Sequence, residues 1–323
     1  MTTQTYQFHG LSLALTAEEP VLAVLRARLR AFPSPEAVVR PDLQFEWIPV
    51  ADLNHHVVRR PDGPSHAILD VGGGTVHHHG ETDELFVEVG GWARMLCHAT
   101  SGRVRVSYLE SIADPLATLT YTMFTIPLHE MLKRRGMFMM HAAGLAEQGR
   151  GVLLAGASGA GKTTQALALM RGGLGFLGDD MMILSARNGV WKALAFPDDV
   201  DVTPQTLAFF PELTRCPARP TSAGRPKRPV DACTAFGVEP VWECTPRILV
   251  FPGTGRRESS ELLPLDRGAA LVQLTCNVFR TDATTSQGHL DALAGVVRQC
   301  ACYQLTTGRD FDALPALIRR VLH

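Results

Sequence analysis

Gly156-Ala-Ser-Gly-Ala-Gly-Lys162-Thr163 fits the phosphate-loop pattern G-x-x-x-x-G-K-[ST] without a gap. The preceding Val152-Leu153-Leu154-Ala155 is a short apolar run suited to a buried strand, and Thr163 to Met170 reads as a helix with Leu167 and Met170 on one face. Strand, glycine loop and helix in that order predict a phosphate trap. The glycines let the backbone curl so that successive N–H groups point inward, and the helix N-terminus adds its dipole. The motif therefore assigns Gly156, Ala157, Ser158, Gly159, Ala160, Gly161, Lys162, Thr163 and Thr164 to a nucleoside triphosphate, ATP being the expected one. Lys162 is expected to reach the β- and γ-phosphates and the Thr163 hydroxyl to ligate Mg²⁺. A chance glycine-rich turn is the competing explanation, and the flanking strand and helix argue against it.

Downstream, Gly172-Gly173 is expected to stop the helix, and Leu174 to Gly178 to form a short strand ending in Asp179-Asp180. Only one helix and one strand fit between Lys162 and these carboxylates. Two adjacent aspartates beside a triphosphate suit magnesium and nucleophile activation, although an exposed turn has the same composition. Upstream, Met137 to Leu145 reads as a strand and Glu147 to Gly151 as a turn, so a hairpin is expected to feed the loop. That arrangement departs from the standard parallel nucleotide-binding sheet. His141 lies on the predicted hairpin partner, where its imidazole would orient a carboxylate or share its proton. A core histidine satisfied by a backbone carbonyl is the alternative. Asn188-Gly189 between Met181–Ser185 and Val190–Leu194 predicts a further tight hairpin.

The 323 residues suffice for two domains. Residues from about Asp42 to Tyr108 alternate in short strand-like runs and predict a small β-rich α+β domain over 1–112. The remainder, 113–323, is expected to be the phosphate-loop domain, opened by a helix capped at Asp114-Pro115, kinked or split at Pro127, and stopped at Gly136. Pro211 to Val230 carries proline and basic residues without a period and is expected to be mobile, a lid from which Lys227 and Arg225 reach the phosphates. Arg247 is a weaker candidate, and a solvated loop the plain alternative.

A formal net charge of −1 favours neither nucleic acid nor an anionic membrane as partner. Seven scattered cysteines suit a reducing compartment, and no signal peptide or bilayer-length apolar run is seen, so the expected location is the cytoplasm. His77-His78-His79 lies between glycines and reads as a solvated turn rather than a metal site.

His141, Gly156–Thr163 and Gly178-Asp179-Asp180, at these intervals, resemble the bacterial HPr serine kinase/phosphorylase family and its relatives, among them kinases of lasso-peptide clusters. The resemblance covers residues 137–200, more loosely Pro246–Phe251 and Cys302–Pro315. It implies an α/β fold, a mixed-sheet phosphate-loop kinase domain of HPr kinase and phosphoenolpyruvate carboxykinase type. It also implies phosphoryl transfer from ATP to a serine hydroxyl, with Asp179 as general base, His141 as its partner, and Thr163 and Asp180 on Mg²⁺. No clear copy of the family's signature for reverse phosphorolysis is present. The expected partner is a peptide or small protein with an acceptor serine, and a homo-oligomer is compatible with the reading. A small-molecule hydroxyl kinase and a non-catalytic ATP-binding module are the rivals.

Overall fold

The computed structural model describes residues 1–35, 40–55, 58–71, 73–111, 116–216, 227–254, 258–275 and 281–323. The chain is a mixed α/β structure with more than one mixed sheet, and it divides into two compact units. The first comprises Met1–Arg135 with Arg280–Ser286, and the second comprises Gly136–Phe279 with Gln287–His323.

In the first unit, β1 (Thr2–Phe8), β2 (Leu11–Ala17), β3 (Leu43–Val50), β4 (His66–Val71), β5 (Gly74–His79), β6 (Glu84–Val89), β7 (Ala93–His98) and β8 (Arg103–Leu109) form one sheet. Its order is β1-β2-β3-β8-β7-β6-β5-β4, parallel at β2–β3 and β3–β8 and antiparallel elsewhere. Two helices, α1 (Glu19–Leu29) and α2 (Leu116–Lys133), complete it. Period-two alternation sends Leu13, Leu15, Phe45, Trp47, Met95, Val104 and Val106 inward, where each is fully shielded from solvent.

Helix α2 corrects the domain boundary expected at 112/113. It belongs to the first unit because its apolar face packs on α1 and β7, with the Phe124 ring 4.9 Å from Phe45. It is one continuous helix with Pro127 inside it, and Gly136 follows its end at φ 69°. The expected cap at Asp114-Pro115 lies outside the described residues. His77-His78-His79 is a second correction. The three form the end of strand β5, and His78 and His79 are buried rather than solvated.

The second unit is built on a nine-stranded sheet. Its strands are β9 (Met137–Met140), β10 (Ala142–Glu147), β11 (Arg150–Ala155), β12 (Gly175–Gly178), β13 (Met182–Arg187), β14 (Val190–Leu194), β17 (Glu243–Thr254), β18 (Glu261–Pro264) and β19 (Ala301–Thr307). A separate pair, β15 (Val200–Val202) and β16 (Arg228–Val230), lies beside it in sequence. The helices are α3 (Lys162–Arg171), α4 (Pro204–Phe209), α5 (Ala232–Phe236), α6 (Arg267–Thr275), α7 (Ala283–Gln299) and α8 (Leu314–Leu322).

The sheet order β12-β10-β11-β17-β14-β13-β9 puts the loop-feeding strand β11 antiparallel to β10 and parallel to β17, which in turn pairs in parallel with β19. The hairpin expected before the loop is present, turning through Gln148 and Gly149 at φ 51° and 76°, the geometry of a tight two-residue turn. Asn188 and Gly189 turn β13 into β14 in the same way. Val152 and Leu154 face a core shared with α3 and α8, and Leu153 and Ala155 face a core shared with α6 and α7. Burial on both faces explains why β11 reads as an unbroken apolar run.

The single strand expected over Met137–Leu145 is broken at His141, so β9 pairs with β13 while β10 pairs with β11. The mobile loop expected over 211–230 is also corrected in part. Residues Pro211–Arg215 form a 3-10 turn with Leu213 buried, and Arg228–Val230 is β16 with Val230 buried. Residues 217–226, with Arg225, lie outside the described residues. No helix among the described residues is long and apolar enough to cross a membrane.

Candidate active site

Gly156, Gly159 and Gly161 take φ values of 149°, 82° and 98°, which only glycine adopts without strain. They carry the chain from the end of β11 into α3, whose first turn exposes its backbone N–H groups to the loop. The helix closes as the sequence predicts. Gly173 N–H donates to Met170 O and Leu174 N–H to Leu169 O, a Schellman stop. Gly172 is required because a β-carbon there would lie 2.2 Å from Pro315 of α8. Arg319 of α8 clamps the same corner, donating to both oxygens of Glu147 and to Gly172 O.

Lys162 is buried and folded back over the loop. Its ammonium donates to Gly156 O at 2.8 Å and Ala157 O at 3.1 Å. Burial holds its pKa below the ordinary lysine value, against the pull of Asp180 and Asp179. A cation resting only on two carbonyls is free to trade them for phosphate oxygens. Lys227, just before β16, extends its positive field to both Lys162 and Asp179.

The two aspartates at the end of β12 have different surroundings. Asp179 is buried, its Oδ2 accepts the Thr163 hydroxyl at 2.8 Å, and its Oδ1 is shielded with no partner among the described residues. Burial, with Asp180 alongside, pushes its pKa up to about 7, the Thr163 hydrogen bond and the two lysines opposing. Asp180 is exposed. His141, at the break between β9 and β10, donates from Nδ1 to the Asp180 carbonyl at 3.0 Å and lies 4.0 Å from its carboxylate. A carbonyl only accepts, so Nδ1 carries a proton.

These pairings differ from those the family resemblance implies. Thr163 meets Asp179 rather than Asp180, and His141 meets Asp180 rather than Asp179. Adjacent residues past a strand end point to opposite sides, and here Asp179 turns under the loop while Asp180 turns outward. Arg247 is not part of the site. It falls between Pro246 and Ile248, which register with Gly151 and Val152 at the start of β11, about 13 Å of strand from Gly156 at ~3.3 Å per residue.

Gln165 is a residue the sequence reading did not single out. It is buried one turn into α3, donates to Thr307 Oγ1 at the end of β19, and leaves Oε1 shielded and unpartnered. A buried polar residue in the first turn after the lysine was the only available signal.

In the first unit, His78, Asp83 and Asp282 bring three potential ligand atoms within 4.8 Å of one another. Arg134 already spans both carboxylates, bonding both oxygens of Asp83 and Asp282 Oδ2 at 3.2 Å. Arg134 bridges the two carboxylates, so this cluster is an ion-pair network.

A sequence profile of the family described as SynChlorMet cassette protein ScmC matches residues 109–214, about a third of the chain, including the loop and both aspartates. No curated protein matches. Among solved structures, the HPr(Ser) kinase/phosphatase from Coxiella burnetii aligns at 17% identity over 57% of this chain and 92% of that one, with a TM-score of 0.29. A superposition this loose speaks to neither activity nor substrate.

Proposed function

We propose that the second unit is an ATP- and Mg²⁺-dependent kinase of HPr kinase-like type that phosphorylates a hydroxyl, a serine of a peptide or small protein. The observation that carries the reading is the contact of the loop's metal-ligating hydroxyl, Thr163, with a buried carboxylate whose second oxygen has no partner. An orphaned buried oxygen costs stability unless a ligand satisfies it, and a water held by a divalent cation fits that position. The resemblance of the motifs to HPr serine kinases supports the choice of acceptor.

The residues divide the work as follows. Backbone N–H groups of Gly156–Thr164 cradle the phosphates and Lys162 leaves its two carbonyls for them. Thr163 and Asp179 hold the metal side. A Mg²⁺ ion held there would supply charge neutralisation for the triphosphate. Asp180, exposed and backed by His141, takes the proton of the acceptor hydroxyl. The acceptor oxygen bonds to the γ-phosphorus as the bond to the ADP oxygen breaks, and Lys227 offsets the charge that develops. Exchanging the roles of the two aspartates relative to the resemblance follows from their contacts: the Thr163 hydroxyl meets Asp179, while Asp180 is the exposed carboxylate beside His141.

ATP labelled at the γ-phosphate, supplied with Mg²⁺ and an array of serine peptides, tests the proposal. Label is expected on peptide from γ- but not α-labelled ATP. Asp180→Asn should abolish transfer while retaining nucleotide, a loss of roughly 10²–10⁴-fold. Asp179→Asn should instead weaken metal-dependent binding. An Asp180→Asn variant with wild-type transfer would contradict the assignment of the base.

A further inference from the structure

We propose that the outer face of the first unit's sheet is a docking site for an acidic peptide segment. The proposal rests on reading the acceptor as a peptide. One face of this sheet packs on its core, and the other carries a basic depression. Register fixes its composition. His77, Phe86, Leu96, Arg105 and Glu46 lie in one cross-strand row over β5, β6, β7, β8 and β3. The next rows on the same face add Thr75, Glu88 and Arg94 on one side and Glu84, His98 and Arg103 on the other.

Two cavities open here on either side of the segment at residues 58–60. One of about 440 Å³ is lined by Arg59, Arg60, His77, Phe86 and Arg94, and one of about 240 Å³ by Val58, Leu96, His98, Arg103 and Arg105. The charges do not cancel. Arg94 pairs with Glu88 at 2.7 Å, Arg105 with Glu46 at 3.1 Å, and His98 with Glu84 at 2.8 Å. Arg59, Arg60 and Arg103 have no acidic partner among the described residues. Arg60 donates to the Ser65 hydroxyl at 3.2 Å, and these three guanidiniums with half-buried Leu96 complement a segment that alternates carboxylates with apolar side chains.

The chain as a whole is near neutral at −1, so this excess is local. Nucleic acid fits less well. Glu46, Glu84 and Glu88 interrupt the basic surface where a continuous phosphate backbone would track, whereas a short peptide can set its carboxylates at Arg59, Arg60 and Arg103 alone.

Fluorescence anisotropy on the full chain, with a short fluorescein-labelled peptide alternating Glu and Leu, tests this at low ionic strength. The wild-type chain should bind it, and a Lys-for-Glu version should not. Arg59→Glu with Arg103→Glu should weaken binding at least about tenfold, and Arg59→Gln with Arg103→Gln less. Arg298→Glu, on α7, should leave it unchanged. Each variant is checked for an unaltered thermal transition and for binding of a non-hydrolysable ATP analogue. If nucleotide binds and the acidic peptide does not, the docking site is wrong while the kinase reading stands. Peptide binding without nucleotide binding would remove the kinase reading alone. Tighter binding of a single-stranded RNA oligonucleotide than of the peptide would also overturn the proposal.

Discussion

Asp179→Asn should stabilise the free protein while disabling its site. The carboxyl is buried, and its pKa of about 7 stands against an ordinary 3.8. A carboxyl whose folded-state pKa exceeds its unfolded value binds its proton more tightly when folded, so ionising it costs stability. That cost is absent below about pH 4, grows through the interval up to pH 7, and is constant above it. At about 1.4 kcal/mol per pH unit the full interval corresponds to about 4 kcal/mol. Asparagine has nearly the same shape, keeps an oxygen for the Thr163 hydroxyl and carries no charge. The variant should therefore gain up to about 4 kcal/mol at pH 8 and about a third of that at pH 5. In a domain of this size this is a rise of up to roughly 8–16 °C in the melting transition of the second unit at pH 8. Scanning calorimetry of both proteins at the two pH values, without nucleotide or metal, reads the effect. A gain of equal size at both pH values, or none at pH 8, would refute the claim that the folded site holds an expensive charge. Such a trade of stability for function belongs to active sites rather than to bland turns.

Three further outcomes follow from other contacts. Lys162→Ala should weaken binding of an ATP analogue by roughly ten- to a hundredfold, the worth of one charge-assisted contact of about 1.5–3 kcal/mol, as titration calorimetry will show. Glu130→Gln should destabilise the first unit by about 3–5 kcal/mol in a denaturant titration, because Lys133, fully buried beside it, loses that carboxylate and Arg134 keeps only Asp83 and Asp282. Arg319→Ala should cost about 1.5–3 kcal/mol by releasing α8 from Glu147 and Gly172. Arg319 and then His323 hold the Glu147 pKa below its usual 4.5, so this contribution is present above that value and is lost as acid protonates Glu147. The difference between wild type and variant should accordingly narrow in melts at falling pH.

What the sequence made legible is what local chemistry dictates. The loop glycines, Asn188-Gly189, the hairpin turn at Gln148-Gly149 and the helix stop at Gly173 all announce backbone states with positive φ, and each is found where expected. What it hid depends on distant partners. Helix α2 looks like the opening of the second domain until Phe124 is seen on Phe45. Three identical histidines conceal a strand because no alternation of residue type marks its two faces. Which of Asp179 and Asp180 meets Thr163 and which meets His141 is not legible either, since neighbours in sequence give no sign of which carboxylate turns inward. The proline-rich composition around 211–230 masks Leu213 and Val230, whose burial anchors short ordered elements at its ends.

The central claim is that Gly156–Thr164 and Asp179 form one nucleotide and metal site. Hydrogen exchange of the full chain, with and without a non-hydrolysable ATP analogue, each in the presence and absence of Mg²⁺, tests it most directly. The account predicts strong protection of the amides from Gly156 to Thr164 with the analogue, and added protection around Asp179 and Asp180 only when Mg²⁺ is also present. Unchanged exchange across both segments at saturating analogue and Mg²⁺ would contradict it.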